Sequence, residues 1–158
     1  MLIKLRKRSA QSLRTKASGE AGFTLVELLV VMLILGLLAA IAIPSFFNQR
    51  DKAKDADAKE SVRTAQTATE TYATDNDGSY SGATSTILVG IESTLADAPG
   101  TLTVTPNGAG TGYTVSVASE TTNVFSITRN SDGTVDYTCT AAGTAGCPGS
   151  GGGTGDWG

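Results

Sequence analysis

An uninterrupted run of apolar residues near the start of the chain constrains its fold more than any other feature. From Leu28 to Ile43, sixteen consecutive positions carry no charged or strongly polar side chain. With its apolar flanks the segment extends over 23–47, which as a helix is long enough to cross the ~30 Å hydrocarbon core of a membrane. The sequence therefore predicts a hydrophobic transmembrane helix over 23–47.

The charge is distributed very unevenly around this segment. Residues 1–22 carry six basic side chains against the single acid Glu20, a net charge of +5, whereas the remainder carries 6 basic and 14 acidic side chains, a net charge of −8. A basic flank before an apolar run stays in the cytoplasm, so the acidic remainder is expected to be exported. Because its net charge repels phosphates, we expect no strong nucleic-acid binding.

The residue inventory argues against an enzyme. The chain has 158 residues but no histidine and only 2 cysteines. Histidine-based catalytic triads, histidine-ligated zinc and four-cysteine zinc sites are therefore excluded. We expect no catalytic residues, no cofactor and no metal site.

The pattern after Pro44 remains helical but becomes amphipathic. A stripe of mostly small residues recurs at spacings of four and three: Ala58, Val62, Ala65, Thr69 and Tyr72. Asp55 and Lys59 are spaced for an i,i+4 ion pair, and the run 75–78 (Asp-Asn-Asp-Gly) is a helix stop followed by a turn. One helix from 23 to about 74 would be roughly 75–80 Å long, so half of it must project from a domain of this size.

Beyond residue 78 the sequence changes to alternating short segments separated by turns. These lie at 87–91, 101–105, 113–117, 123–128 and 134–140, and the last three or four predict an antiparallel meander. Only one face would be apolar, and the stripe of residues 58–72 is its expected partner. The predicted fold class is α+β, with its parts in the following order: a removed leader (1–22), the hydrophobic helix (23–47), an amphipathic helix (48–76), a sheet head (77–140) and a glycine-rich tail (141–158). We expect the tail to stay out of the core and Trp157 to be mobile and exposed.

Glu27 is an acid inside the otherwise apolar segment 23–47. A carboxylate near the centre of a membrane helix costs about 2.5–3.5 kcal/mol, and an acid within such a helix is a functional candidate by default. A cut between Gly22 and Phe23 would remove the basic leader and create an α-amino group four residues from Glu27. The carboxylate would then pair with the amine of its own chain or with that of a neighbouring chain, and in the second case the pairing would set the axial register of an assembly.

Residues 22–31 (GFTLVELLVV), followed by the apolar run and Pro44, resemble the class III signal of type IV pilins and their relatives. These relatives include type II secretion pseudopilins and Gram-positive competence pilins. The resemblance implies that prepilin peptidase cleaves after Gly22, that Phe23 is N-methylated and that Glu27 supports assembly. Gly36 and Pro44 match positions where helices of this family bend or melt within the fibre.

The resemblance also implies a function, a location and a set of partners. The chain is expected to be a structural subunit of a type IV pilus, a homo-oligomeric helical filament. Before assembly it would span the cytoplasmic membrane once, leader inside and in contact with lipid, and would meet prepilin peptidase and the inner-membrane pilus assembly machinery. After assembly it would be extracellular. The alternative is a pseudopilin of a type II secretion or competence DNA-uptake system.

Other interpretations remain open at this point. An A-x-A site at 40–42 predicts release of residues 43–158 by an ordinary signal peptidase, and a plain single-span anchor without assembly is a further possibility. In an exported chain Cys139 and Cys147 are expected to form a disulfide. It resembles the C-terminal disulfide-bounded loop of many pilins, and it either fastens the final strand or forms exposed filament surface.

Overall fold

The computed structural model describes residues 22–149 and 153–158. Except for Gly22, the predicted leader lies outside these residues. The chain divides into two compact units with the boundary between Ala39 and Ala40. Helix α1, Leu25–Asp75, begins in the first unit and ends in the second.

The ends of α1 are set by local hydrogen bonds. At its start the Glu27 backbone N–H donates to Thr24 Oγ1 at 3.2 Å, so Thr24 is the N-cap. At its end the Gly78 N–H donates to the Ala73 carbonyl at 2.8 Å, the bond of a Schellman motif in which Asp77, with φ +53°, takes the left-handed position. The predicted helix stop at 75–78 is thereby confirmed.

The prediction of a strand at 87–91 is wrong. It forms helix α2, Ser85–Ile91, followed by a short 3-10 helix over Ser93–Asp97. The Thr84 hydroxyl caps α2 by accepting the Ile87 N–H at 3.3 Å, and Leu88 is buried. A short apolar run has no periodicity that separates a strand from a helical turn, and the Thr84 cap favours the helix.

The strands pair as an antiparallel meander in chain order among the described residues. Their bounds are β1 Leu102–Pro106, β2 Tyr113–Ala118, β3 Val124–Arg129, β4 Val135–Cys139 and β5 Gly155–Asp156. The first four lie where alternation predicts them, whereas β5 was not predicted.

One face of the sheet packs on the C-terminal half of α1. Alternate residues of β2 and β3 are buried there, and they share one core with the helix stripe. Four of the five predicted stripe residues are fully buried and the fifth is half-buried; in order they are Ala58, Val62, Ala65, Thr69 and Tyr72. The prediction that this stripe covers the sheet is confirmed, and its small side chains allow a close approach.

The expectation of an exposed tail is wrong. Trp157 is only 8% exposed, and its ring lies edge-on to Phe125 and Tyr137 at centroid distances of 5.8 and 5.2 Å. Its Nε1–H donates to the Thr138 carbonyl at 2.8 Å. Glycines carry no pattern that reveals burial, but here Gly155 lets β5 approach Cys147 closely, so the tail joins the core.

Candidate functional site

The junction predicted to be cut lies just before α1. Gly22, Phe23 and Thr24 are outside regular structure, and helix geometry begins at Leu25. Phe23 is 78% exposed, and a side chain added at Gly22 would meet no atom within 4 Å. The Gly22–Phe23 peptide bond therefore lies in an accessible, non-helical segment, the form of chain that a peptidase can bind without unwinding a helix.

Glu27 occupies the first turn of α1. Thr24 at the N-cap and Glu27 three residues later form the Thr-x-x-Glu spacing of a capping box. This places a carboxylate at the positive end of the helix dipole. The Thr-x-x-Glu spacing is readable in the sequence, and it adds a capping position to the assembly role expected for Glu27.

The surface that follows Glu27 is almost entirely apolar. From Phe23 to Phe47 every large hydrophobic side chain is between 47% and 78% exposed. The most apolar window of α1 has a mean hydropathy of 2.9 and no buried residue, so by length and composition this helix can span a membrane. Exposed apolar surface on this scale marks a site of contact with lipid or with another protein.

Gly36 and Pro44 lie within the unbroken helix α1. Gly36 has no neighbouring atom within 4 Å of an added side chain, and Pro44 cannot donate a hydrogen bond to the carbonyl four residues earlier. Both residues weaken the helix locally while leaving it formed. Their roles in assembly stay predictions.

The two cysteines form the predicted disulfide. Cys139 and Cys147 are bonded, with Cα atoms 5.8 Å apart, and both are nearly fully buried. Cys139 is the last residue of β4, so the bond fastens the end of that strand to the chain that follows. Residues 140–146 between the two cysteines are called the disulfide loop below.

A buried acid on α1 was not predicted as part of any site. Asp55 is 0% exposed, and its carboxylate accepts four hydrogen bonds. The donors are Ser119 Oγ at 2.6 Å, Thr121 Oγ1, Asn123 Nδ2 at 2.8 Å and the Gly146 backbone N–H at 2.8 Å. Burial alone would raise the pKa of Asp55, but these hydrogen bonds together hold the pKa below its ordinary value.

The predicted Asp55–Lys59 ion pair does not form. The two ion pairs found in the described part of the chain are Lys54–Glu120 and Glu70–Arg129. Lys59 Nζ instead donates to the Gly146 carbonyl at 2.7 Å. Two side chains one helical turn apart therefore bind the N–H and the C=O of the same residue, and nothing in the local sequence around Asp55 indicates this.

Comparison with known proteins agrees with the N-terminal geometry. The family model described as "Prokaryotic N-terminal methylation motif" matches residues 17–43. The type IV major pilin protein PilA of Myxococcus xanthus is 41% identical over 56 residues, covering 35% of this chain and 26% of that protein. The type II secretion system core protein G of Pseudomonas aeruginosa is 40% identical over 57 residues, covering 36% and 40%.

A longer match, to a fimbrial protein, extends beyond the N-terminal helix. A fimbrial protein of Pseudomonas aeruginosa is 32% identical over 138 residues, covering 80% of this chain and 90% of that protein. No solved structure matches the chain significantly.

A long apolar helix that begins beside a methylation-type junction, followed by a small antiparallel sheet, defines the pilin-like class of proteins. Within that class, the chain belongs to the type IV pilin and pseudopilin family.

Proposed function

We propose that this protein is a structural, non-enzymatic subunit of a type IV pilus. It is inserted into the cytoplasmic membrane with its basic leader inside, trimmed by prepilin peptidase between Gly22 and Phe23, and assembled into a filament through residues 23–47. The observation that carries this proposal is the exposed apolar surface of α1, which starts directly behind an accessible junction and a capped helix terminus.

Cleavage changes the electrostatics of the helix start. The new α-amino group of Phe23 would precede the N-cap Thr24 directly, so a positive charge would be added to the positive end of the helix dipole. Glu27, in the same turn, carries the compensating charge. An ammonium and a carboxylate ~4 Å apart attract by about 4 kcal/mol at an effective dielectric constant near 20.

This pairing gives assembly its specificity. Moving residues 23–47 from lipid into a helical bundle exchanges one apolar environment for another, so burial of these side chains does not by itself drive association. Packing complementarity and the pairing of Glu27 with the Phe23 amine of a neighbouring subunit must then select the register. Methylation of Phe23 and weak helix positions at Gly36 and Pro44 belong to the same proposal.

A pseudopilin of a secretion or DNA-uptake system is the second candidate. The match to the type II secretion protein covers 57 residues, and the similarity favours a shared assembly mechanism. The match to the fimbrial protein covers 138 residues, which favours a pilus.

A charge reversal at Glu27 tests the proposed assembly. Cells that express only the Glu27→Lys variant should insert and trim the subunit normally but produce few or no filaments, as seen by electron microscopy and by immunoblots of membrane and sheared-surface fractions. The matched control is Glu60→Lys, which makes the same charge change at an exposed position of α1. Abundant filaments from the Glu27→Lys cells would contradict the proposal, as would an equal loss in both variants.

A further inference from the structure

Most of the disulfide loop is exposed to solvent. Among its residues only Ala142 is buried, while Thr140, Ala141, Gly143 and Thr144 are exposed. Ala141 and Ala145 have φ angles of 56° and 47°, in the left-handed region that alanine rarely adopts. The surrounding contacts must therefore hold the loop in a strained conformation.

Those contacts converge on Asp55. Gly146 donates its N–H to Asp55 Oδ2 at 2.8 Å and accepts from Lys59 Nζ at 2.7 Å, and we call this pair of bonds the Gly146 contact. A second attachment joins Thr144 Oγ1 to Asn123 Oδ1 at 3.3 Å. Since Asn123 itself donates to Asp55, the same carboxylate supports both attachments.

The Gly146 contact depends on a close approach. A Cβ atom at Gly146 would lie 2.6 Å from the Cβ of Asp55, which no packed side chain tolerates. An alanine at this position would therefore push the loop away from α1 without altering the carboxylate. The other hydrogen bonds of the loop lead to the sheet and to the tail, not to the helix. Thr140 exchanges two bonds with Val124, and the Ala142 N–H donates to the Gly153 carbonyl at 2.8 Å.

The disulfide is buried directly beside this contact. Cys139 and Cys147 are 1% and 2% exposed, so a reductant cannot reach either sulfur while the loop is docked. Cys139 belongs to the sheet, whereas Cys147 directly follows Gly146. Displacement of Gly146 from α1 would uncover the sulfur of Cys147 without separating the strands.

We propose that the Asp55 carboxylate docks the disulfide loop on α1 and thereby controls the reduction of the Cys139–Cys147 bond. Local release of the Gly146 contact, with the sheet still folded, is the step that admits the reductant. Segments with little buried apolar surface and few anchoring hydrogen bonds open in this way below the free energy of global unfolding. The inference does not depend on filament assembly.

The test measures how fast a phosphine reduces the disulfide. A water-soluble phosphine attacks one sulfur, the S–S bond breaks, and water converts the adduct to phosphine oxide and two thiols. The full chain in nonionic detergent is incubated with the phosphine under native conditions, and free thiols are alkylated and counted by mass spectrometry. The rate is divided by that of the urea-unfolded chain, which removes differences in intrinsic reactivity.

Four variants separate the docking contact from general damage. Asp55→Ala and Gly146→Ala should each speed reduction about tenfold or more, because a buried charge-assisted contact is lost. Asp55→Asn should change the rate only about threefold, because its oxygen still accepts from two N–H donors while its amide donates to the Ser119 and Thr121 hydroxyls. The control Gly108→Ala, at an open position, should stay within about twofold.

Urea below the unfolding transition distinguishes local release from global unfolding. Local release exposes little surface, so the wild-type reduction rate should hardly depend on urea; reduction through the unfolded state would rise steeply with it. The inference is overturned if the wild-type rate follows that steep dependence. It is also overturned if Asp55→Ala and Gly146→Ala are reduced as slowly as wild type; should Asp55→Ala not fold, Gly146→Ala and the urea series decide.

Discussion

The Tyr113 hydroxyl lies 2.9 Å from Glu70 Oε1 and donates a hydrogen bond that ties β2 to α1. The Tyr80 hydroxyl donates to Oε2 of the same carboxylate at 2.7 Å, and Arg129 Nη1 lies 3.7 Å from Oε1. Glu70 and Asp55 are thus two acidic anchors, fifteen residues or about 22 Å apart along the helix at about 1.5 Å per residue. The stripe of mostly small residues allows the helix to lie close to the sheet, and these two anchors fix the position of the sheet along the helix.

Removing the Tyr113 hydroxyl tests the Glu70 anchor. Tyr113→Phe keeps the ring and loses the bond to a charged acceptor, so it should lower the free energy of unfolding by about 1–2 kcal/mol in urea titrations of the full chain in nonionic detergent. Tyr72→Phe is the control, because the Tyr72 hydroxyl donates to the neutral Ser81 carbonyl in an exposed position. Equal losses in the two variants would argue that Glu70 is not a specific anchor.

The Asp55 anchor predicts a dependence of stability on acid. Hydrogen bonds hold the pKa of Asp55 below its ordinary 3.8 in the folded chain despite burial. A lowered folded-state pKa contributes stability that is present above the unfolded value and is lost as the pH falls through the folded value. Wild-type stability should therefore decline below about pH 4 more steeply than that of Asp55→Asn. Asp57→Asn, at an exposed position of the same helix, should leave the decline unchanged; parallel curves for wild type and Asp55→Asn would refute the role of this carboxylate.

The burial of Trp157 predicts that the C-terminal tail contributes to the free energy of unfolding. Trp157→Ala should cost about 3 kcal/mol or more, because the ring packs on Phe125 and Tyr137 under the Lys59 and Arg63 side chains. Trp157→Phe retains most of the packing but loses the bond to Thr138, and it should cost about 1 kcal/mol. Since Trp157 is the chain's one tryptophan, fluorescence of the wild type gives a second check. Its emission should be blue-shifted and protected from acrylamide in the folded chain, and free access of the quencher would show that the tail is not docked.

Two valine substitutions separate the possible processing sites. Gly22→Val should block trimming and leave a membrane-bound precursor with its leader, because the branched side chain is placed at the scissile bond. Ala42→Val changes the A-x-A site of an ordinary signal peptide by the same kind of substitution and should be trimmed normally. Gel mobility and intact mass measure both outcomes, and the reverse pattern would assign the cut to the A-x-A site.

Much of the fold could be predicted from periodicity because the relevant segments bury one face. The stripe on α1 and the alternation in β2 and β3 each indicate which face of the element is buried. Helix α2 and strand β5 could not be predicted in this way. The first is a seven-residue segment, too short to show a period, and the second is the pair Gly155–Asp156, which is paired with β4 and precedes the buried Trp157.

The sites around Glu27 and Asp55 also differ in how well the sequence predicts them. Glu27 is identifiable because its local signals, an acid in an apolar segment and the capping spacing with Thr24, lie within a few residues in the sequence. Asp55 resembled an ordinary surface acid because its partners lie 64 to 91 residues further along the chain, on a turn and on the disulfide loop. Only the folded chain brings those donors to it.

The most direct test is to determine the N-terminal residue of the subunit in sheared surface filaments. Terminal-peptide mass spectrometry should find a chain that begins at Phe23, carries a methyl group on its amine and retains Glu27 four residues later. Filaments built from a chain that still begins at Met1, or a mature protein that begins at Ile43, would contradict the account.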